Sequence, residues 1–353
     1  MPKGKVLVAV LNWGLGHATR CIPVIRSLQQ QNFQPVIASD GKALSFLKNE
    51  FPELVSYELK PLHITYGSRS AFNFPYLMVK SLFWNVQLKK DAALVHSIHK
   101  NEGLTGIISD GRPYAYHRDV PSAYITHQLQ VKSSIFSELS TVIHRQLIRR
   151  FDECWVPDIA PPHNICGPMS QWKNADIALR YIGFPSDLTV QKRTSGYDHA
   201  AIIAGAEPER TTLEKRLIAC FRELAGKNII LAGSKERSSE KISDNLELIG
   251  MASRAEVGQV ISQSDTLVVR GGYSTIMDLI KLQRTALLVP TPGQTEQLYL
   301  AKHLKRHHYF DRVSQAQLSA ERIRQFSKRK YRSNNVAFTG FDLGEVFGLF
   351  EGE

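Results

Sequence analysis

The stretch Lys5 to Arg20, KVLVAVLNWGLGHATR, passes from an apolar strand through two glycines into the start of a helix. Lys5 to Leu11 is apolar after its first residue, as a strand buried on both faces of a parallel sheet would be. Gly14 and Gly16 allow a tight turn and the close approach of a ligand, and the helix that follows presents its first backbone amides. Open α/β sheets bind ligands at such strand ends. The stretch therefore predicts an α/β fold with a ligand site after its first strand.

Strands and helices alternate along the rest of the chain in two series, one before and one after about residue 190. The order strand, helix, strand implies parallel βαβ units with right-handed crossovers. For the first series we predict strands at Gln34 to Ala38, Leu104 to Ser109 and Ser122 to Thr126, and a helix at Thr19 to Gln30. For the second we predict strands at Ala200 to Ala204, Asn228 to Ala232, Leu246 to Ile249, Thr266 to Val269 and Ala286 to Val289, and helices at Thr212 to Leu224 and Thr275 to Leu282.

The length of 353 residues fits two domains of ordinary size. The segment Tyr181 to Tyr197 contains Gly, Pro and Ser without any period, which is typical of a domain boundary. The chain is therefore divided into an N-terminal Rossmann-like domain at 1–185, a linker at 186–197, a C-terminal Rossmann-like domain at 198–330 and a tail at 331–353. The apolar residues of the tail suggest an end helix that returns to the N-terminal domain.

The net charge indicates which kinds of partner this chain could bind, and the spacing of the cysteines indicates whether they form a metal or redox site. A net charge of +11 suits a nucleic acid, an anionic membrane surface or a phosphorylated substrate. The absence of zinc-finger spacing and of an RNP aromatic motif argues against a nucleic-acid partner. The four cysteines have no CxxC spacing, so they predict buried free thiols rather than a metal or redox site: Cys21, Cys154, Cys166 and Cys220.

Two features bear on the membrane. No apolar run reaches the length of about 20 residues that a membrane span needs, and the start of the chain does not resemble a signal peptide, so a cytoplasmic protein is predicted. Phe72 to Lys90 combines apolar and aromatic residues with lysines. Such a helix either lies on a membrane surface, giving peripheral contact, or packs on its own sheet, which is the commoner arrangement.

The stretch Val268 to Asp278, VVRGGYSTIMD, is a second strand–glycine–helix motif. Its helix start is predicted to hold a diphosphate on the amides of Ser274 and Thr275, at the positive end of the helix dipole. An alternative is open for Asp278: with Thr275 it fits a capping box, in which case it would only bond backbone amides.

Two further strand ends carry polar side chains. Val289 to Ala301, VPTPGQTEQLYLA, offers Gln294, Glu296 and Gln297, which suit a hydroxyl-rich ligand, although a polar helix start would look the same. In Ala204 to Thr211, AGAEPERT, Arg210 either faces a phosphate or is simply solvated.

Together, these motifs resemble the GT-B glycosyltransferases. Within them the chain is similar to the family 28 branch, which contains the N-acetylglucosaminyltransferase of the lipid-linked cell-wall precursor. The resemblance covers the chain to about Leu304. It implies two Rossmann-like domains facing across a cleft, with a UDP-sugar bound by the C-terminal domain and the acceptor bound by the N-terminal domain.

The resemblance also assigns residues. It implies a diphosphate loop at Gly272 to Thr275, a ribose contact at Asp278 in place of a family glutamate, and sugar contacts from Glu296 and Gln297 in place of a Gln-Gln pair. Glu296 stands where the family has the first Gln of the pair, which suggests a different sugar preference. Backbone groups at Gly250 to Ala252 would read the uracil. At the first turn of the C-terminal domain the family's usual glycine-rich loop is replaced by AEPER. From the motifs and the resemblance together, the predicted donor-binding residues are Gly205, Arg210, Gly250, Met251, Ala252, Arg270, Gly271, Gly272, Tyr273, Ser274, Thr275, Asp278, Gln294, Glu296 and Gln297. The implied acceptor-binding residues are Gly14, Gly16, His127 and Gln128.

Together with the resemblance, His17 and Asp110 predict a direct displacement at the anomeric carbon with inversion. His17 would take the proton of the acceptor hydroxyl, since an imidazole held at that turn acts as a base near neutral pH. Asp110 would orient His17, unless it is only a turn residue in SDGRP. The chain has no Asp-x-Asp motif, so neither a metal ion nor another cofactor is predicted. The resemblance implies that helix ends and arginines neutralise the leaving group instead.

Other functions stay open. Gly14 to Cys21, GLGHATRC, is also similar to the start of the UDP-sugar hydrolase of pseudaminic acid synthesis, in which water is the nucleophile. The long segment Phe51 to Lys100 favours a larger acceptor site, and hence transfer. A sugar-nucleotide 2-epimerase is disfavoured because no matching acidic set is present. A non-catalytic nucleotide-sugar sensor would keep the binding loops without turnover. The charge and the Phe72 to Lys90 helix favour a lipid-linked or anionic acceptor.

Overall fold

The computed structural model describes residues 2–61, 90–132, 137–189, 196–329 and 342–352. It divides into two compact units, called here the N-terminal unit, Met1–Asp187 with Gly340–Glu353, and the C-terminal unit, Leu188–Thr339. The segment Phe72 to Lys90 lies outside the described residues except for its last residue, as do residues 190–195 of the predicted linker and 330–341 around the start of the predicted tail.

The N-terminal unit is built on a seven-stranded sheet of order β3-β2-β1-β4-β5-β6-β7, in which all neighbouring strands pair in parallel. Its strands are β1 Gly4–Val10, β2 Phe33–Ser39, β3 Ser56–Glu58, β4 Leu104–Asp110, β5 Ser122–Ile125, β6 Glu153–Val156 and β7 Ala178–Tyr181. Its helices are α1 Gly16–Gln30, α2 Gly41–Glu50, α3 described over 90–102, α4 Ser137–Ile148, and 3₁₀ helices at Gly167–Ser170 and Leu343–Phe350.

The first helix starts earlier than the sequence predicted. The Thr19 amide donates to the carbonyl of Leu15 at 2.8 Å, so the helical turn is already formed at Gly16 and not only from Thr19 onward. His17 is therefore a residue of the first helical turn. Because helical side chains three residues apart lie on one face, His17 and Arg20 are neighbours there.

A 3₁₀ helix from the end of the chain completes the core of the N-terminal unit. Phe347 and Phe350 are buried in the cluster that also contains Phe33 and Trp155. The ring centroids of Phe347 and Trp155 lie 5.9 Å apart, and those of Phe33 and Phe347 lie 6.2 Å apart at 72°, an edge-to-face geometry that favours aromatic pairs. Residues 342–352 thus belong physically to the unit formed by the first half of the chain.

Gly106 on β4 makes room for Phe350. A Cβ atom at this position would lie 2.9 Å from Cε1 of Phe350 and closer still to Cγ and Cδ1. We expect Gly106→Ala to lower the free energy of unfolding by about 1–3 kcal/mol, because the aromatic ring must move out of a packed core. Urea denaturation measures the loss. Gly348→Ala is the matched control, since a Cβ there meets no atom within 4 Å; an equal loss in both variants would contradict the explanation.

A buried ionic network ties the strand ends of the N-terminal unit together. The Arg112 guanidinium pairs with Asp40 after β2 and, at 2.8 Å, with Asp91 on α3. Its Nε donates to the carbonyl of Val10 at the end of β1, at 3.1 Å. Burial is the main reason that the pKa values of Asp40 and Asp91 are raised, and Arg112 opposes it. Arg112 therefore bonds the SDGRP turn to the end of β1, to the residue after β2 and to α3.

The C-terminal unit is built on a second seven-stranded sheet, of order β10-β11-β9-β8-β12-β13-β14, in which only the β10–β11 pairing is antiparallel among the described strands. The strands are β8 Tyr197–Ile202, β9 Asn228–Leu231, β10 Glu240–Ser243, β11 Leu246–Ile249, β12 Ser264–Val269, β13 Leu287–Leu288 and β14 Asp311–Arg312. The helices are α5 Glu209–Arg222, α6 Arg254–Gln263, α7 Tyr273–Lys281, α8 Thr295–Arg306 and α9 Ala320–Ser327.

Two smaller predictions can be compared directly. All four cysteines are buried and unlinked, which confirms the expectation of free thiols. Among the helices that the structure describes, none combines the length and the apolar character needed to cross a bilayer.

Candidate active site

The carboxyl edge of the N-terminal sheet brings His17 and Asp110 together. β1 and β4 are adjacent, and Val10 pairs with Asp110 at the ends of these strands. The chain turns after β1 through Gly14, whose φ of +72° favours glycine, and enters α1 at Gly16. The result is a contact of 2.6 Å between Nδ1 of His17 and Oδ1 of Asp110. The sequence predicted this pair, and the structure places both residues at hydrogen-bonding distance.

Asp110 is fully buried, and both of its carboxylate oxygens are engaged. Oδ1 accepts from His17 Nδ1 and from Arg20 Nη2, while Oδ2 accepts from Arg20 Nε and, at 3.2 Å, from the thiol of Cys21. These donors fill the four positions at which a carboxylate accepts hydrogen bonds. Asp110 is therefore a fixed anchor and not a flexible turn residue.

The same contacts set the protonation states. Burial alone would raise the pKa of Asp110, but the Arg20 and His17 side chains outweigh it and hold that pKa well below its usual range. The pKa of His17 is lowered, mainly by burial and then by the Arg20 charge, against the opposing effect of Asp110. His17 is thus neutral and Asp110 ionised at neutral pH, which is the state that a general base requires.

The tautomer of His17 follows from the carboxylate. An ionised carboxylate only accepts hydrogen bonds, so the 2.6 Å contact requires a proton on Nδ1. Arg20 Nη2 lies 2.9 Å from the same Nδ1 and also donates to Oδ1. The lone pair of the neutral ring is then on Nε2, away from Asp110. The His17 side chain is 20% exposed, so that nitrogen belongs to a partly accessible ring.

The other predicted acceptor residues lie at the same edge. His127 and Gln128 follow β5, the neighbour of β4. His127 is buried, and its Nδ1 is 3.5 Å from Arg20 Nη1, at the limit of a hydrogen bond. The Gln128 amide donates to the hydroxyl of Thr126 at 3.1 Å, which fixes the loop, and the Gln128 side chain is partly exposed.

In the C-terminal unit, the loops after β8, β12 and β13 are neighbours, because these three strands are adjacent in the sheet. A Cβ on Gly205, after β8, would lie 4.0 Å from the hydroxyl oxygen of Thr291, after β13. A Cβ on Gly271, after β12, would lie 3.8 Å from the carbonyl of Gln297 in α8. Three of the predicted donor segments are therefore gathered at one edge.

Helix α7 begins at Tyr273 with Gly272 as its N-cap, two residues before the predicted start at Thr275. Its first intrahelical hydrogen bond runs from the Ile276 amide to the Gly272 carbonyl at 3.1 Å. Ser274 and Thr275 are partly exposed in the first turn, and a Cβ on Gly272 would meet no atom within 4 Å. The positive end of the helix dipole therefore opens beside a glycine.

The capping-box interpretation of Asp278 is wrong. Since Gly272 is the N-cap, Thr275 is not, and no side chain caps this helix. The Asp278 carboxylate is buried and instead pairs with Arg254, at 2.9 Å to Nη1 and 3.0 Å to Nη2. A ribose hydroxyl would have to reach Asp278 beside this bidentate pair. Arg254 is the first residue of α6, so the pair also links the Met251 to Ser253 turn to α7.

Two of the predicted donor arginines are used inside the C-terminal unit. Arg210 pairs with Glu207 and, at 3.0 Å, with Glu214, and it donates to the carbonyl of Ala232 at 3.2 Å. Arg270 is buried and donates to two backbone carbonyls, those of Val289 and Glu209. Burial lowers the pKa of Arg270 to about 10. Both guanidinium groups hold strand ends and loops together, and a phosphate contact would have to compete with these bonds.

The remaining predicted donor residues divide into structural and accessible ones. Gly250 has both backbone groups engaged, by Ser239 Oγ and by the Ser234 amide, and any side chain there would collide with the Arg237 carbonyl. Met251 is exposed and Ala252 is partly exposed. In α8, the buried Gln297 accepts from the Thr291 amide at 2.8 Å and so shapes the loop. Gln294 and Glu296 are partly exposed at the start of the same helix.

Three residues that shape the site were not predicted from the sequence: Arg20, Arg254 and Thr291. Arg20 could have been found, because it stands three residues after His17 in the helix and is the last residue of the quoted motif. Arg254 and Thr291 gave no such signal, since their partners come from other elements. Within the described ranges, no three side chains of His, Cys, Asp or Glu are arranged so as to hold a metal ion.

Comparison with known proteins gives one family match and several similar chains. Residues 209–339 match the glycosyltransferase family 28 C-terminal domain. An uncharacterized glycosyltransferase of Methanopyrus kandleri is 22% identical over 321 residues, covering 84% of this chain and 89% of the relative.

Solved structures share the fold. MurG of Acinetobacter baumannii matches with a TM-score of 0.55 at 15% identity, over 92% of this chain and 90% of its own. The Arabidopsis thaliana protein UGT89C1, complexed with UDP-L-rhamnose, matches with a TM-score of 0.64 at 11% identity, over 98% and 93%. The two Rossmann-like units are thus those of the GT-B fold, as the sequence predicted.

Proposed function

We infer that this chain, a glycosyltransferase of the GT-B fold with a C-terminal domain of the family 28 type, moves a sugar from a UDP-sugar to an acceptor hydroxyl with inversion and without a metal ion. The observation that carries this proposal is the His17–Asp110 pair at the carboxyl edge of the N-terminal sheet. It provides an oriented imidazole with a lowered pKa next to a carboxylate whose pKa is also lowered, which is the arrangement of a general base.

The proposed reaction has a single displacement step. Nε2 of His17 takes the proton of the acceptor hydroxyl while the hydroxyl oxygen bonds to the anomeric carbon from the side opposite the diphosphate. The bond between that carbon and the diphosphate oxygen breaks, and UDP leaves with the electron pair. Asp110 keeps Nδ1 protonated and stabilises the imidazolium that forms, as a carboxylate does in other His–Asp pairs.

The C-terminal unit would bind the donor. The start of α7 supports a diphosphate site, because helix amides and the dipole favour anions and Gly272 leaves space for them. The same positive end would stabilise the leaving diphosphate, which is why we propose that no metal ion is needed. Glu296 and Gln294, partly exposed at the start of α8, are the side chains proposed to read the sugar hydroxyls.

For the acceptor, we propose a lipid-linked or anionic alcohol, reached by peripheral contact with the cytoplasmic face of a membrane. The net charge of +11 supports this, since basic proteins are attracted to anionic surfaces and substrates. The hydrolase alternative uses the same His17 geometry with water in place of the alcohol. The intact His–Asp pair favours either reaction over a sensor that has lost catalysis.

Calorimetric titration with UDP, with and without Mg²⁺, tests the donor assignment, followed by a panel of UDP-sugars. We expect binding that does not depend on Mg²⁺ and is tightened by one sugar. Turnover is then assayed with that sugar, with lipid-linked alcohols and with water alone. Release of free sugar without any transfer would favour the hydrolase. If UDP and all UDP-sugars fail to bind, the donor assignment is wrong.

A pair of variants locates the diphosphate. Gly272 has an ordinary extended backbone and open space at Cβ, so both Gly272→Asp and Gly272→Asn are expected to fold with good N-caps. The two side chains have the same shape, but only aspartate places a negative charge at the helix start. We expect Gly272→Asp to weaken UDP binding by about tenfold or more relative to Gly272→Asn, through like-charge repulsion. Equal affinities would place the diphosphate elsewhere.

A further inference from the structure

Arg20 occupies the centre of the His17–Asp110 site. It stands one helical turn after His17 on α1 and is 5% exposed. Its Nε and Nη2 each donate to a different oxygen of Asp110, a bidentate geometry that fixes the plane of the carboxylate. The bidentate contact therefore holds the carboxylate in the plane in which one of its oxygens faces Nδ1 of His17.

Arg20 also competes with His17 for the same oxygen. Both His17 Nδ1 and Arg20 Nη2 donate to Oδ1 of Asp110, and the two nitrogens are 2.9 Å apart. In a simple His–Asp pair the carboxylate charge would stabilise a protonated ring. Here the guanidinium partly offsets that charge, so a proton added to His17 would gain less from Asp110 and would lie beside the like charge of Arg20.

The groups that face His17 come from three elements. Arg20 and Cys21 lie on its own helix, Asp110 ends β4, and His127 follows β5. Cys21 is neutral, because burial and the Asp110 charge raise the pKa of its thiol. Arg20 is therefore the fixed positive charge in this group, and Asp110 is the fixed negative one. In agreement with this balance, Arg20 lowers the pKa of His17 while Asp110 raises it.

We propose that Arg20 is a positioning residue with two effects: it locks Asp110 in the orientation that accepts the Nδ1 proton of His17, and its charge keeps His17 unprotonated, and so able to act as a base, at lower pH than an ordinary His–Asp pair would allow. The proposal rests on the proposed function only in that His17 serves as a base. The geometry and the charge balance belong to the protein with or without a substrate.

The charge effect is tested by NMR titration of the His17 ring, with its signal assigned by comparison with His17→Gln. We expect Arg20→Gln to move the titration midpoint of His17 upward by about one pH unit or more, because Asp110 is then unopposed. Arg20→Lys keeps the charge and should move the midpoint by less than half as much. Asp110→Asn removes the opposing charge and should move it downward. The proposal requires that the titration midpoint of His17 rises in Arg20→Gln and falls in Asp110→Asn.

Arg20→Gln leaves a buried carboxylate with fewer partners and could prevent folding. In that case the titration midpoints of His17 in wild type, Asp110→Asn and Arg20→Lys still test the charge balance. A midpoint that stays in place or rises in Asp110→Asn would overturn the charge balance. This readout needs no turnover, so it separates a failure of this inference from a failure of the proposed function.

The positioning effect is tested by kinetics once a transfer assay exists. Arg20→Lys cannot make the bidentate contact, so we expect kcat to fall by about tenfold or more while the KM for the donor stays within about twofold. The acid limb of the pH dependence of kcat/KM should follow the His17 midpoint measured by NMR. Full kcat in Arg20→Lys, or an acid limb that stays fixed in Arg20→Gln while the NMR midpoint moves, would overturn the positioning role.

Discussion

Replacing His17 with alanine is expected to lower kcat by about 10²–10⁴-fold, which is the usual contribution of a positioned general base. Among the described side chains bonded to Asp110, the His17 ring alone has a nitrogen lone pair to accept a proton, because the Arg20 guanidinium has none and Cys21 is a thiol. Affinity for UDP should stay within about twofold, since the proposed donor loops belong to the C-terminal unit. Steady-state kinetics and calorimetry on the same preparation measure the two quantities.

The matched control is His163→Ala. His163 is an exposed histidine in the loop after β6, so its loss should change neither kcat nor UDP affinity. Asp110→Asn should reduce kcat as well, because asparagine offers no negative charge to stabilise the imidazolium and does not hold the tautomer as firmly. If UDP affinity collapses together with kcat in His17→Ala, the assignment of His17 as the base is wrong.

Replacing Phe347 with alanine is expected to lower the free energy of unfolding of the N-terminal unit by about 3–5 kcal/mol, the usual cost of removing a buried phenylalanine. The side chain is fully buried, and its ring packs against Phe33 and Trp155 beneath the sheet. Because the core of the C-terminal unit is a separate set of residues, its stability should change little. Amide hydrogen exchange read separately for β1 and β12 distinguishes the two units.

Glu345→Ala is the control for this variant. Glu345 is an exposed residue of the same 3₁₀ helix, so the change removes a side chain from the surface and none from the core. It should cost less than about 0.5 kcal/mol. Equal loss of protection in β1 and β12 of Phe347→Ala would show that the two units unfold together, contrary to the prediction.

Most strands rich in buried apolar residues could be predicted from the sequence whatever their length, and strands without such residues could not. Leu246 to Ile249 was predicted with its observed bounds, and β1 lies within one residue of the prediction at both ends, because both carry buried apolar side chains. β7, with Ala178 and Arg180 among its four residues, and β14, with two residues, carry none. These strands are held by pairing with a neighbour, which leaves little trace in their own residues.

The candidate site divides in a similar way. Strand–glycine–helix turns are local features, so Gly14, Gly272 and His17 could be found from the chain alone. The pairing of Asp278 with Arg254 joins residues from two helices and had no local signature. A local rule, the capping box, gave the wrong answer there because the N-cap is a glycine three residues ahead of the predicted helix start. Local patterns predict where a site is, while the partners of each charge depend on tertiary contacts.

The 3₁₀ helix Leu343–Phe350 has a consequence for biosynthesis. These residues complete the aromatic core beneath β1 and β4, yet the ribosome makes them after the whole of Leu188–Thr339. The second half of the chain can therefore close its core during translation, while the first half must wait with an open apolar surface until the last segment arrives. Folding order would then run opposite to the order of synthesis, and nascent chains paused before residue 342 would be natural clients of chaperones that bind exposed aromatic groups.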